Sequence, residues 1–293
     1  MRTVAAGSRV GAAGRRESPW LREIRTLDPD RDCRRIVFLD SFHEFPFDTT
    51  RSLELAFVKT FAVPSIASLL ASTGEFVLRG QKRYDDTDLL ISAFSEDGWD
   101  GELGKRALRR MNQIHGRFDI SNDDFLYVLS AMVLEPIRWN ERFGWRRFLD
   151  AERQAQFRFW CEIGRRMAIR DIPETLAELA ALNAEVERTR FRRTDDGVRL
   201  AHAQRDVFLA WFPFVPGRLG ARAISALLDE RVVDVLGLVR PTAGERRLLE
   251  AAVRARSAAV RLLPPRRRPR LRTTMRRRSY PAGFTIDGLG PSS

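Results

Sequence analysis

The residue whose type and placement most directly suggest chemistry is His115, one of only three histidines in the chain. It ends the run 109–115, Arg-Arg-Met-Asn-Gln-Ile-His. A helical period of 3.6 residues places it on the same face as Leu108, Met111 and Phe118. An imidazole on such an apolar face is either a core group bonded to a carbonyl or a ligand for a metal or a haem. The spacing alone leaves both interpretations open.

A second group of polar residues lies in the segment 80–88, which leads directly into the apolar run Leu89-Leu90-Ile91. Arg83 and Thr87 are four residues apart and therefore share one face of a helix. Carboxylates surround them, as expected at a solvated helix start. From the residues alone, this segment is predicted to be such a start.

Most common catalytic motifs are missing from this sequence. It has no glycine-rich phosphate loop, no GxSxG elbow and no HExxH motif. The three histidines, at 43, 115 and 202, are too scattered for a three-histidine metal site unless the fold collects them. A cofactor that needs one protein ligand fits better, and haem b is the common example.

The net charge of +12 is concentrated near the C-terminus. Residues 251–280 contain eleven arginines and no acidic residue, so the rest of the chain is nearly neutral. Such a segment would give strong, salt-sensitive attraction to nucleic acid or to an anionic membrane. An alternative function is therefore a non-enzymatic helical binding protein that docks through this segment.

The apolar pattern predicts one helical domain over residues 34–262. Residues 1–33 are predicted to be a weakly ordered N-terminal arm, and residues 263–293 an Arg/Pro-rich tail. The two cysteines, Cys33 and Cys161, cannot form a secreted disulfide framework. With no apolar run of about 18 residues and no secretory signal, the expected location is cytoplasmic.

Within the domain, periodicity and capping residues predict helices and no strand ladder. Ser121 should begin a helix over 122–135 that Pro136 ends, followed by a loop over Arg138–Arg147. Further helices are expected at 101–116, 150–167, 198–212, 217–237 and 243–262. The predicted fold class is all-α.

Several of these segments together resemble the MpaB-type oxygenases, whose superfamily also contains the bacterial latex-clearing rubber oxygenases. The resemblance is carried by residues 82–87 (KRYDDT), 109–118 (RRMNQIHGRF), 120–124 (ISNDD), 127–129 (YVL), 164–173 (GRRMAIRDIP) and 280–291. Their order and spacing are more specific than any one of them. The similarity covers roughly residues 35–190 strongly and continues weakly to the end.

The resemblance implies an all-α, partly globin-like fold with a haem b pocket between helices. His115 of Met111-x-x-x-His115 would be the proximal ligand of the iron, with Met111 beside the cofactor. Arg83 and Thr87 would lie on the oxygen-binding side as catalytic residues, and Arg83 could also pair with a propionate. The distal acid of the rubber enzymes has no match here, and Glu75 is the nearest carboxylate.

The implied reaction is oxidative cleavage of a carbon–carbon double bond in a prenyl-like or other apolar alkene, with dioxygen as co-substrate. No specific nucleic acid partner is implied. Peripheral contact with an anionic membrane through the Arg-rich segment is compatible with this activity.

Overall fold

Side chains cap the starts of several helices in this chain. A computed structural model describes residues 17–291, where the Ser121 hydroxyl accepts a hydrogen bond from the Asp124 N–H (3.2 Å). Thr175 and Thr242 each form a capping box with the glutamate three residues later. Every regular element in this part of the chain is helical, which confirms the all-α prediction.

The α-helices of the described residues follow one another with short connections. In chain order they are α1 (Pro19–Ile24), α2 (Cys33–Leu39), α3 (Pro46–Thr60), α4 (Pro64–Ser72), α5 (Glu75–Leu78), α6 (Gly80–Asp97), α7 (Glu102–His115), α8 (Asn122–Phe143), α9 (Asp150–Arg166), α10 (Leu176–Arg190), α11 (Asp195–Leu209), α12 (Gly217–Leu227), α13 (Glu230–Val235) and α14 (Ala243–Leu262). A π-helical turn, Asp40–Glu44, lies between α2 and α3, and a 3₁₀ turn, Ile286–Gly288, follows α14.

The core is built around α8, which is buried over most of its length. Helix α3 packs along α8, α6 packs against α7, and α2 packs against α9. One apolar cluster joins α2, α6, α8 and α9, and a second joins α3, α4, α11 and α13. Phe57 and Val128 contact both clusters.

A buried ion cluster links α3 to three other parts of the chain. Lys59 is 2% exposed, and its Nζ lies 2.9 Å from Glu135, 2.7 Å from Glu187 and 3.5 Å from Asp229. Since removing one partner from a buried pair strands the remaining charge, this cluster fixes how these elements pack.

The predicted end of α8 at Pro136 is wrong. The helix continues through Pro136 to Phe143, and Gly144 follows its end. Much of the segment 138–147, predicted to be a loop, is therefore helical. A proline within a helix costs about 3 kcal/mol, and the burial of Ile137, Trp139 and Phe143 beyond it offsets that cost.

The single helix predicted over 217–237 is in fact two helices, α12 and α13. Leu228 and Asp229 between them have extended backbone conformations. This break buries Leu228 at 2% exposure and places the Asp229 carboxylate beside Lys59.

The two ends of the chain differ from the expected arm and tail. Residues 1–16 of the predicted arm lie outside the described residues, but 17–33 contain α1, whose Ile24 is fully buried. In the segment 263–291, Ile286 and Leu289 are almost completely buried. This C-terminal segment packs on the helical domain.

No single helix in residues 17–291 has the length and apolar composition of a membrane span, although α3 and α4 together meet that test across a bend of 96°.

Candidate active site

His115 is the last residue of α7, and its side chain lies among apolar groups. Met111 and Ile114 lie on the same side of the helix, and the three residues line one cavity. The Phe125 ring of α8 meets the imidazole edge-on, with ring centroids 5.5 Å apart. The inward orientation predicted from the helical period is therefore observed.

The imidazole of His115 has no hydrogen-bond partner among residues 17–291. Its Nδ1 is buried without a partner, an arrangement that costs free energy in a folded protein. Burial, together with the nearby charge of Arg83, lowers the pKa of His115 to about 4. The ring is consequently neutral at physiological pH, and its nitrogen lone pair is available to a ligand.

The other two histidines are satisfied in ordinary ways. His202 Nε2 lies 3.0 Å from the Gly237 carbonyl oxygen. His43 Nδ1 lies 3.4 Å from the Arg266 carbonyl oxygen, and its ring packs against Trp20 at 4.0 Å. The fold does not collect the three histidines, and no cluster of three or more potential metal ligands occurs within the described range.

Arg83 and Thr87 lie on α6 and face the same cavity as His115. The Arg83 guanidinium donates to the Thr87 hydroxyl, which in turn donates to the Arg83 carbonyl at 3.1 Å. The guanidinium carbon is 5.2 Å from the Phe76 ring centre and 5.6 Å from that of Phe57. Burial lowers the pKa of Arg83 from its usual value. The pair is therefore part of a cavity wall and not a fully solvated helix start.

Arg83 carries a charge that no carboxylate within residues 17–291 neutralises at ion-pair distance. The carboxylates nearby are engaged elsewhere, because Glu75 pairs with Arg79 and Asp86 pairs with Lys82. A partly buried cation without an ion pair is costly unless an anion completes it. The site therefore presents a positive group to whatever enters the cavity.

The cavity that contains His115, Met111, Arg83 and Thr87 has a volume of about 1490 Å³, its open mouth included. Its enclosed part is about 220 Å³, below the roughly 300–1,000 Å³ of typical ligand pockets, so a cofactor with a substrate beside it would also occupy the open mouth. Its wall is mostly apolar side chains of α4, α6, α7, α8 and α9. Glu75, the carboxylate considered from sequence as a distal acid, also lines it, and Arg79 lowers its pKa.

The C-terminal segment closes one side of this cavity. Gly290 and Pro291 line it, and Lys82 Nζ donates to the Gly290 carbonyl at 2.7 Å. Gly290 has φ +100°, and a Cβ there would lie 2.5 Å from Ile114 Cδ1, so only glycine suits this close approach. The chain end thus abuts the turn of α7 that carries His115.

Several arginines of the basic segment are used inside the protein. Arg272 pairs with Asp88 at 2.8 Å, and Arg277 pairs with the same carboxylate at 2.5 Å. Arg256 on α14 pairs with Asp48 at 3.2 Å. These cations stabilise the fold and are not free for an external polyanion.

A second cavity adjoins the first and has a volume of about 900 Å³ when its open mouth is included. It was not predicted from the sequence. Its wall contains Glu54, whose pKa burial raises to about 7. It also contains Gln204, which is 2% exposed. A signal for Gln204 exists in the sequence, since Leu200, Gln204 and Phe208 follow each other at i, i+4 and i+8, which places a glutamine in an apolar stripe.

Together the fold and the site define an all-α protein with an open, mostly apolar cavity beside one neutral imidazole that has no partner among residues 17–291. The chain belongs to the family described as the catalytic domain of the ER-bound oxygenase mpaB/B′ and rubber oxygenase, whose model matches residues 62–258. The matched region contains α4 to α13, and with them the four predicted site residues.

Fungal proteins of this family are similar to the chain over different lengths. The ER-bound oxygenase mpaB′ of Penicillium brevicompactum is 26% identical over 243 residues, covering 76% of this chain and 57% of that protein. The ER-bound oxygenase mpaB of the same fungus is 32% identical over 132 residues, covering 43% of this chain and 34% of that protein. The corresponding protein of Penicillium roqueforti is 30% identical over 132 residues, covering 43% and 44%. The chain thus spans between a third and three fifths of these relatives.

Proposed function

We propose that this protein is a haem b-dependent oxygenase that cleaves a carbon–carbon double bond in a prenyl-like chain. The observation that carries the proposal is the His115 imidazole, which is neutral, has no hydrogen-bond partner among the described residues and lines an open, mostly apolar cavity. Membership of an oxygenase catalytic-domain family supports the same activity.

The side chains of the cavity fit a haem. His115 would hold the iron through a ring nitrogen, and Met111, one turn earlier on α7, would pack beside the ring system. The unpaired guanidinium of Arg83 would pair with a propionate or with negative charge that develops on oxygen. A bound haem would supply the activation of dioxygen, which protein side chains alone do not provide.

The remaining work falls to the residues of the wall. Thr87 is held in place by Arg83, and rotation of its hydroxyl away from the Arg83 carbonyl would turn the proton toward the cavity. The apolar side chains of α4, α8 and α9 exclude water and accept a hydrocarbon chain. Cleavage of one double bond by one dioxygen molecule gives two carbonyl groups, so the overall reaction balances without an added reductant.

The test is incubation of the purified protein with a farnesylated phenol under oxygen. We expect aldehyde or ketone fragments, one dioxygen consumed per bond cleaved, and label from ¹⁸O₂ in the products. The matched control is His115→Ala, which should form no fragments. Absence of fragments from a haem-loaded wild type, with this substrate and with a short polyisoprene, would overturn the proposal.

A further inference from the structure

The connection between α11 and α12 exposes two phenylalanine side chains. Residues 211–216 of this connection have the sequence Trp-Phe-Pro-Phe-Val-Pro, and we call them the aromatic loop. Phe214 is 80% exposed and Phe212 is 48% exposed, with ring centroids 6.2 Å apart. An exposed apolar residue that stands alone needs no explanation, whereas a contiguous apolar patch marks a binding surface.

Helix α5 extends the exposed apolar surface on one side of the aromatic loop. Val77 and Leu78, its last two residues, are both exposed. Helix α5 packs against α11, and a Cβ on Gly80 would lie 2.8 Å from Val207 Cγ2. The chain directly after α5 therefore lies against the last turn of α11, where the aromatic loop begins.

The first turn of α12 extends the same surface on the other side of the loop. Leu219 is exposed there. A Cβ on the neighbouring Gly220 would lie 2.5 Å from Leu209 Cδ2 and 3.6 Å from Val215 Cγ1. The start of α12 is thus held against the end of α11 and the aromatic loop.

Trp211 fixes the aromatic loop to the helical domain. Its Nε1 donates to the Gln81 side chain at 2.7 Å. Its ring lies 4.8 Å from that of Tyr84 and 5.0 Å from that of Phe208. The loop is therefore held through Trp211, and the exposed ring of Phe214 adds little to the packing of the core.

The charged residues around the aromatic loop are basic. The range 207–228 contains no acidic residue. Arg218 of α12 is exposed, as are Arg276 and Arg278 of the C-terminal segment, and none of the three forms an ion pair among residues 17–291. Arg278 donates to the Ala210 carbonyl at 3.1 Å, which places this part of the basic segment beside the loop.

We propose that the aromatic loop docks the protein on a phospholipid bilayer that contains anionic lipids. Phe212 and Phe214 enter the interfacial region of the bilayer, where apolar and aromatic side chains of a surface-bound protein are buried. The exposed arginines contact lipid phosphates. A second copy of the chain on this surface would face the same arginines, whereas an anionic bilayer complements them. The proposal does not depend on the oxygenase function.

The test measures flotation of the purified full chain with vesicles of phosphatidylcholine and phosphatidylglycerol. Phe214→Ser should lower the partition coefficient at least about tenfold, because burial of one phenyl side chain contributes at least that factor. Phe212→Ser should lower it less, since part of that ring is already covered. The matched control is Leu262→Ser, which removes an 86% exposed apolar side chain at the end of α14 and should bind as the wild type does.

The charged part of the surface is tested by changing the lipid. Arg218→Gln should lower binding to the mixed vesicles about fivefold, the factor that one basic residue contributes near an anionic surface. It should leave binding to vesicles of phosphatidylcholine alone unchanged. Arg109→Gln, the same loss of charge at an exposed position of α7, is the control and should bind both kinds of vesicle as the wild type does.

Three results would overturn the docking proposal. The first is a wild-type protein that does not float with the mixed vesicles. The second is a Phe214→Ser variant with normal circular dichroism that binds as tightly as the wild type, or no more weakly than Leu262→Ser. The third is a wild-type dimer in analytical ultracentrifugation that Phe214→Ser converts to a monomer, because the surface would then belong to a second copy of the chain.

Discussion

The two adjoining cavities differ in whether the charged and polar side chains of their walls have partners. In the His115 cavity the Arg83 guanidinium has a hydrogen bond to Thr87 but no ion pair, and the His115 imidazole has no hydrogen-bond partner among the described residues. In the second cavity the charged groups Glu54, Asp88 and Arg272 each have a partner among the described residues. The first cavity thus keeps groups that a cofactor or a reacting atom would complete, whereas the charges of the second cavity are already compensated.

Two arginines at α6, Arg83 in the helix and Arg272 bound to its Asp88, differ in the same way. Arg83 faces the His115 cavity without a carboxylate partner, and burial lowers its pKa. Arg272 contacts Asp88, Thr50 and Tyr84, and the Asp88 charge helps to raise its pKa. We therefore expect Arg272 to support stability and Arg83 to support function.

The largest expected effect is loss of haem, which should follow substitution of His115 but not of the other two histidines. His115→Ala should fold, yet lose nearly all bound haem and its Soret absorption, because no other free imidazole lines the cavity. His202→Ala and His43→Ala are matched controls and should retain haem. Full haem occupancy in His115→Ala, combined with loss in either control, would mean that the wrong histidine has been assigned.

The second effect distinguishes the two arginines. Arg272→Met should cost about 2–3 kcal/mol in the free energy of unfolding, since it removes largely buried hydrogen bonds between charged groups while Arg277 still pairs with Asp88. Arg83→Met leaves no carboxylate stranded, so its cost should be much smaller while oxygen consumption falls steeply. Urea unfolding and steady-state oxygen uptake of both variants measure this. Equal destabilisation by the two substitutions would remove the distinction.

The third effect concerns the wall between the cavities. Thr87→Val keeps the shape of the side chain and removes the hydroxyl. If that hydroxyl donates to charge that develops during the reaction, the rate should fall by about 10²–10³, with haem retained. Ser95→Ala, which removes a hydroxyl that lines the second cavity alone, is the control. A Thr87→Val rate within a factor of two of the wild type would take Thr87 out of the mechanism.

The smallest expected effect is a pH dependence of stability caused by Glu54 in the second cavity. Because the pKa of Glu54 is raised from 4.5 to about 7, the folded protein keeps a proton that the unfolded chain releases across this interval. The free energy of unfolding should therefore fall by about 1.5 kcal/mol between pH 5.5 and 7, and level off above about pH 8. Glu54→Gln should lack this decline in urea unfolding of the cofactor-free protein. An identical pH dependence in variant and wild type would contradict the assignment.

The helical class, most helix positions and the inward face of His115 follow from period and capping, which are local properties. The continuation of α8 through Pro136 and the packing of residues 263–291 do not follow from local properties. Both depend on burial against residues that are distant in the sequence. Arg272 and Arg277 belong to a segment that has the composition of a solvated tail. Only the fold places Asp88 beside them. Deletion of residues 263–291 should therefore disturb the His115 cavity as well as lower the net charge of the protein.

The predicted site was only partly accessible from residue spacing. A helical face predicts that Arg83 and Thr87 point together, but not that they face His115 from another helix. The spacing of Leu200, Gln204 and Phe208 places Gln204 on an apolar face of α11, but it does not predict that this face lines a second cavity. Whether Arg83, Thr87, Met111 and His115 act as assigned stays a prediction.

The most direct test of the central claim is the haem content of the purified wild-type protein, expressed with haem precursor and measured as the pyridine haemochrome. We expect one haem b per chain and a Soret band that disappears in His115→Ala. A colourless protein that also fails to take up added haemin would contradict the account.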